Sequence, residues 1–383
     1  MMATTTVPRI LLLIPSLDGG GAQRVVELLV RHLSYKQFEV HLGLVTQASV
    51  QDGRFPRSVQ VHILGANRVR SSVWRLWVLI WEIKPDLILS GIYHLNFIVL
   101  LLRPFLPHSI RIFVRQNGTV SAALRFGGEP WFTLWIYRLL YRRADRIICQ
   151  SKAMATDLAT ELRIPPHKIV VLPNPLDMEA IQKAALGQCQ WPGAGPHLLA
   201  VGRLAPEKGF DLLLRAFAGI RSRFPTADLA IAGAGPEEAA LRSLASDLEI
   251  ERAVRFLGYV EHPERYFPGA TIFVLSSHHE GMPNALLETG AAGLPLIATP
   301  ASGGIVELLS GQTGCWITAN DSVEALGVSL LTALSNLQPG ERFIHSFMDP
   351  FRLENSIQSY TELINTVLRE SIAKTESKCP GTK

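Results

Sequence analysis

Short apolar runs of strand length alternate with amphipathic helical patterns along the chain, an order that predicts βαβ units and parallel sheets. In the first half the runs fall at 10–14, 40–45, 59–64, 87–89, 110–114, 146–149 and 169–172. A second series occupies 198–201, 229–232, 254–257, 272–275, 296–298 and a short 315–317. LPNPLD at 172–177 breaks the alternation, and the glycine- and proline-rich 193–196 reads as the end of a linker. The pattern therefore predicts two doubly wound α/β domains of similar size facing a central cleft: residues 1–175, a linker at 176–195, and residues 196–348. A final amphipathic helix over 349–370 has the length to pack back on the first domain, and the polar tail 371–383 is expected to be disordered.

Bulk composition refines this picture in three ways. With 383 residues, 48% hydrophobic and 18% charged, the chain has ample core for two folded domains. Residues 1–175 hold 21 Lys/Arg against 10 Asp/Glu (net +11), whereas residues 176–383 hold 16 against 23 (net −7). A basic half suggests an anionic partner or surface; no nucleic-acid module accompanies it, so no nucleic-acid partner is expected. The four cysteines (Cys149, Cys189, Cys315, Cys379) are scattered without paired spacing, which suits reduced thiols in a cytoplasmic protein. No window supplies the roughly 18 apolar residues of a membrane span. RILLLIPSL at the amino end reads as a first strand, not a signal peptide.

The chemistry concentrates at strand-to-helix junctions. SSHHEGMPNALLE (276–288) follows the 272–275 run and opens a helix expected to begin at Pro283. Glu280, Gly281, Met282, Pro283 and Asn284 thus lie where a strand's carboxyl end meets a helix's positive end, a place that takes anionic and sugar ligands in open α/β sheets. Glu288 follows one to two turns later; an alternative for Glu280 itself is a buried structural carboxylate capping the helix. GRLAPEKGFDLLLRAF (202–217) places Gly202, Arg203 and Lys208 on another such loop, where two cations can clamp a diphosphate or simply be solvated surface charges. Gly19, Gly20 and Gly21 follow the first strand and fit either a close backbone approach to a ligand or a bare turn. IAGAGPE (231–237) and FLGYV (256–260), the latter holding Gly258, Tyr259 and Val260, are further glycine turns that could be punctuation alone. His94 in SGIYHLN, and Arg115, Gln116 and Asn117, end strands of the first half.

In this order along the chain, these motifs resemble the retaining glycosyltransferases of family 4, which share the GT-B fold. The resemblance spans roughly residues 9–368 and is more specific in the second half. It implies that Arg203 and Lys208 bind the donor pyrophosphate and stabilise its departure. Glu280 and the Gly281–Asn284 backbone would meet the donor sugar, Glu288 the ribose hydroxyls, and Gly258–Val260 the base. Gly19–Gly21 would lie beside the donor phosphates and the acceptor, with His94 against the transferred sugar; Arg115, Gln116 and Asn117 would be acceptor contacts. Gly303, Gly304, Glu307 and the GQTGCW stretch (311–316) match a structural part of the family pattern. GGGAQR and LPNPLD look like bacterial enzymes that build lipid-linked oligosaccharide, lipopolysaccharide or capsule.

The expected activity is retaining transfer of a hexose or N-acetylhexosamine from a nucleotide-diphospho-sugar, a UDP-sugar, to a sugar hydroxyl on a lipid-linked glycan. No DxD motif is visible, so metal-independent activity without a cofactor is expected. Rival readings are a nucleotide-sugar epimerase of the same fold and a non-catalytic sugar-nucleotide-binding subunit; a nicotinamide oxidoreductase lacks its GxGxxG fingerprint here. Trp74, Trp77 and Trp81 form one helical stripe, and 131–146 interleaves aromatics with Arg138, Arg142, Arg143 and Arg146. These helices fit either packing on their own sheet or an anionic membrane interface, the latter implying peripheral association with the inner face of the cytoplasmic membrane.

Overall fold

The computed structural model describes residues 7–17, 20–33, 37–46, 54–66, 68–121, 131–187 and 191–376, with backbone alone at 131–132 and 371–376. Gly19, Cys189, Cys379 and the tail from 377 lie outside the described residues. The chain divides into two compact units, Met1–Pro175 with Leu353–Lys383, and Leu176–Arg352.

The first unit is built on a sheet of β1 (Arg9–Ile14), β2 (Glu39–Leu44), β3 (Gln60–Ile63), β4 (Leu87–Ser90), β5 (Arg111–Arg115), β6 (Arg146–Cys149) and β7 (Ile169–Val171). Its order is β3-β2-β1-β4-β5-β6-β7, every neighbour parallel. Between the strands run α1 (Gly21–His32), α2 (Val73–Ile83), α3 (Tyr93–Leu102), α4 (Trp131–Tyr141) and α5 (Lys152–Leu162). Both sheet faces are covered. Leu76, Leu79 and Ile80 of α2, Leu95 and Val99 of α3 and Tyr137 and Leu140 of α4 bury one face; Val25, Val26, Leu29 and Val30 of α1 bury the other.

The second unit opens with α6 (Met178–Ala185), whose start is capped by Asp177 accepting from the Ala180 amide at 3.0 Å. Its strands are β8 (His197–Val201), β9 (Asp228–Ala232), β10 (Val254–Phe256), β11 (Ile272–Leu275), β12 (Leu296–Ala298) and β13 (Cys315–Ile317), in the order β10-β9-β8-β11-β12-β13. Helices α7 (Phe210–Ile220), α8 (Glu238–Asp247), α9 (Asn284–Ala291), α10 (Gly303–Leu309) and α11 (Val323–Asn336) complete it. In each sheet the chain winds outward from its first strand, then returns to that strand's other side. The reversal falls between β1 and β4 in one unit and between β8 and β11 in the other, the position where doubly wound sheets take ligands.

The last helix, α12 (Leu353–Glu376), belongs to the first unit despite its distance in sequence. Tyr360, Ile364 and Val367 fall on one face and are buried in the cluster that holds β1 and β2 residues. Each such side chain contributes about 1.5–3 kcal/mol. The Ser356 hydroxyl adds a 2.8 Å bond to the Pro173 carbonyl.

Three boundaries correct the sequence reading. The 176–195 stretch is not a bare linker: residue 176 onward clusters with the second unit, and α6 forms there because Asp177 caps an amphipathic turn. The terminal helix does not stop at 370 but continues to Glu376, into the stretch expected to be disordered. Pro283 precedes α9 instead of opening it; it adopts an extended conformation (φ −75°, ψ 112°) as the N-cap.

Candidate active site

Two loops leave the carboxyl ends of the strands that flank the reversal in the second unit. Residues 202–209 follow β8, and residues 276–283 follow β11. Hydrogen bonds stitch the loops together. The His278 amide donates to the Glu207 carbonyl at 2.9 Å, and the Ser276 hydroxyl donates to the Lys208 carbonyl at 3.0 Å. Gly209 makes the approach possible. It sits at φ +58°, and a Cβ there would stand 2.3 Å from the Ser276 carbonyl oxygen. On the other side Gly233, at φ +155°, would place a Cβ 1.8 Å from the Gly202 carbonyl oxygen, so that turn also accepts only glycine. The Gly233 amide donates to the Gly258 carbonyl at 2.7 Å, which brings the 231–237 and 256–260 turns beside Gly202.

Charges meet on this frame. Lys208 Nζ donates to Glu280 Oε1 at 2.5 Å, and the Ser277 hydroxyl donates to the same oxygen at 2.8 Å. The Glu280 side chain is only 10% exposed, so its pair with Lys208 is shielded from water. Arg203, 66% exposed, reaches back to the Glu207 carboxylate. Burial alone would raise the Glu207 carboxyl, but its own main-chain hydrogen bond and Arg203 outweigh that and hold it below the usual carboxylate range. His279 shifts the other way: burial favours its neutral form, opposed in part by Glu207 and Glu280. A neutral His279 adds no third positive charge beside Lys208.

Behind the loop a polar layer fixes the 277–281 backbone. The Thr299 hydroxyl donates to the Ser277 carbonyl, the Ser302 hydroxyl to the Gly281 carbonyl at 3.1 Å, and the Glu280 amide to the Ala301 carbonyl at 3.0 Å. His278 Nδ1 pairs with Asp321 Oδ2 at 3.0 Å, and that hydrogen bond lowers the Asp321 carboxyl. Glu288 stands in the second turn of α9, nine-tenths buried. Asn284 begins that helix, and Met282 packs against the apolar cluster that includes Leu287 and Met348. Gly258 has a positive φ, Val260 is half-buried, and Tyr259 projects outward at 67% exposure.

In the first unit, Gly20 caps α1 and Gly21 is its first residue; Gly19, expected beside them, lies outside the described residues. A Cβ on Gly20 would meet nothing within 4 Å, so packing does not explain that glycine. His94 is exposed in the first turn of α3, edge-on to Tyr93 at 4.7 Å. Arg115 corrects the sequence reading. It is 1% exposed, and its guanidinium donates to the Tyr360 hydroxyl (3.2 Å), Asn117 Oδ1 (3.1 Å) and Asn174 Oδ1. It therefore ties β5 to α12 and is withdrawn as an acceptor contact. Gln116 is likewise buried, accepting from Tyr141 at 2.9 Å and donating to the Gly118 carbonyl at 2.8 Å. Asn117 stays half-exposed while donating to the Gly91 carbonyl at 2.6 Å.

Arg203, Lys208 and Glu280 lie on these two stitched loops as their motifs imply, but the residues that support them are less visible in the sequence. Glu207 carried a legible signal, an acid four residues after Arg203 inside the same motif. Thr299, Ser302 and Asp321 carried none, since they arrive from strands and loops remote in sequence.

Two family models match this chain. Residues 19–180 match Glycosyltransferase Family 4, and residues 195–336 match the group 1 glycosyl transferases. The chain belongs to glycosyltransferase family 4. This glycosyltransferase is 28% identical over 333 residues to the N-acetylgalactosamine-N,N'-diacetylbacillosaminyl-diphospho-undecaprenol 4-alpha-N-acetylgalactosaminyltransferase of Campylobacter jejuni, covering 84% of this chain and 88% of the relative. It is 26% identical over 364 residues to the lipopolysaccharide core biosynthesis glycosyltransferase LpsE of Rhizobium meliloti, covering 90% and 96%. Among solved structures, sucrose-phosphate synthase of Thermosynechococcus elongatus superposes with a TM-score of 0.81 at 16% identity, covering 95% of this chain and all of that one. Anabaena HepE, solved with UDP and glucose, gives 0.77 at 17%, covering 93% and 99%. These likenesses establish the GT-B fold.

Proposed function

We propose that this glycosyltransferase moves a hexose or N-acetylhexosamine from a UDP-sugar to a sugar hydroxyl of a lipid-linked glycan, with retention at the anomeric carbon. The single observation that carries the reading is the convergence of Arg203, Lys208 and Glu280 at the strand reversal of the second unit. The donor binds there. Arg203 and Lys208 face the pyrophosphate, Glu288 accepts from the ribose hydroxyls, Gly258–Val260 hold the base, and Glu280 with the Gly281–Asn284 backbone meets the sugar. As the bond from the anomeric carbon to the β-phosphate oxygen breaks, the two cations stabilise the charge left on the diphosphate. The acceptor oxygen bonds to the anomeric carbon from the same face, and its proton passes to the departing phosphate oxygen. No protein base is required, and the cations make metal dispensable.

The first unit takes the acceptor, with half-exposed Asn117 as a polar side chain offered to its hydroxyls, while exposed His94 meets the transferred sugar. The Campylobacter relative, whose name specifies a diphospho-undecaprenol-linked substrate, supports that acceptor class. The test is incubation with UDP-N-acetylglucosamine, UDP-N-acetylgalactosamine or UDP-glucose and undecaprenyl-diphosphate-linked monosaccharides, with and without EDTA. One α-linked disaccharide product, formed equally in EDTA, is expected. Conversion of the nucleotide sugar to its epimer without an acceptor would overturn the reading.

Among the described residues no helix is long and apolar enough to cross a membrane. The arginines first read as headgroup contacts are partly committed: Arg138, Arg142 and Arg143 donate to the carbonyls of Glu161, Arg163 and Leu100, and Arg146 pairs with Glu370. The apolar residues over the same helical layer are not. Trp135, Leu139 and Phe105 are 63%, 46% and 68% exposed. In a unit of net +11 they fit insertion into an anionic lipid surface. Changing these three residues to serine is expected to cut binding to phosphatidylglycerol-rich vesicles at least tenfold in a sedimentation assay. Unchanged sedimentation, or none by the parent protein, would discard the membrane contact.

A further inference from the structure

Each cation of the proposed pyrophosphate site has a carboxylate of its own. Lys208 is held by Glu280, which the 277–281 backbone and Ser277 fix in place. Arg203 is held differently. Its partner Glu207 lies on the same short loop, four residues on, and belongs to none of the sugar, ribose or base contacts assigned above. The Glu207 backbone is anchored by the His278 amide, whereas Arg203 is two-thirds exposed, so Arg203 is the member free to swing. An ion pair whose arginine is this exposed is weakly held and is readily exchanged for a doubly charged oxyanion.

We propose that Glu207 is an internal stand-in for the diphosphate, a positioning residue that pairs with Arg203 and gives it up to the donor. The inference rests on the pyrophosphate reading of Arg203. Two consequences follow from the charges. Holding Arg203 restricts a long side chain before binding, which reduces the ordering left to the ligand. The same carboxylate competes with the incoming phosphate oxygen for the Arg203 guanidinium, so nucleotide affinity is set below what an uncommitted Arg203 would give. A donor site built this way releases its nucleoside diphosphate product more readily, because Glu207 recaptures Arg203.

Glu207→Gln removes the charge while keeping size and hydrogen-bonding capacity, and it leaves the main-chain bond to His278 in place. Calorimetric titration with UDP, GDP and inorganic pyrophosphate should show the nucleotide that binds the parent protein binding the variant three- to tenfold tighter, with pyrophosphate shifting in the same direction. In an Arg203→Ala background, Glu207→Gln should change affinity less than twofold, because the competition runs through Arg203. A structural effect of Glu207 on the loop would persist in that background. Equal or weaker binding by Glu207→Gln, or a gain that survives Arg203→Ala, overturns the stand-in role while leaving the pyrophosphate reading intact. Absence of nucleotide and pyrophosphate binding by the parent protein would instead overturn that reading, and this inference with it.

Discussion

Lys208→Ala and Arg203→Ala are each expected to lower kcat by about 10²–10³-fold, the loss typical of removing one preorganised donor from a developing oxyanion. Lys208 is the more severe case. Its ammonium is three-quarters shielded and sits on the oxygen that Ser277 also reaches, so its position is fixed before the donor binds. Removing it leaves Glu280 as an uncompensated, nearly buried carboxylate, which adds electrostatic repulsion toward the diphosphate. Arg203 is more exposed and held through one partner, so its loss should fall partly on donor KM as well as kcat. Steady-state kinetics with both variants, beside their melting temperatures, separates this from unfolding. Near-normal kcat in both folded variants would remove the leaving-group role.

Glu288→Ala is expected to weaken nucleotide binding about 10–100-fold. A carboxylate accepting two ribose hydroxyls makes charge-assisted hydrogen bonds worth about 1.5–3 kcal/mol to a charged group. Glu288 is 6% exposed and rides on α9, whose start is fixed by the 277–283 loop, so the carboxylate is presented on a rigid element. Glu288→Gln keeps the shape and should fall between the parent and alanine. An alanine variant that folds and binds nucleotide unchanged would mean that the ribose is held elsewhere.

The fold was legible because strands of parallel sheets covered on both faces must be apolar nearly throughout. Every described strand lies on one of the apolar runs, with ends differing by a residue or so. The site was legible for a related reason: glycines in strand-to-helix loops mark where backbones cross closely, and a Cβ at Gly209 or Gly233 would stand 2.3 or 1.8 Å from the carbonyl oxygen of Ser276 or Gly202. What the sequence did not disclose were pairings set by tertiary contact. Arg115 looked like a polar residue at a strand's end, yet Tyr360, some 245 residues later, closes over it. Arg138 and Arg143 looked like free cations, yet backbone carbonyls of other elements take their N–H groups. The capped helix at Met178–Ala185 was hidden by the prolines and glycines that flank it.

The most direct test of the central claim, that the strand reversal of the second unit is a metal-independent nucleotide-sugar site, is titration calorimetry with UDP and GDP in EDTA and then in Mg²⁺. Micromolar binding of UDP, the same in both buffers, is expected. No binding of either nucleotide, or binding that appears only with Mg²⁺, would contradict it.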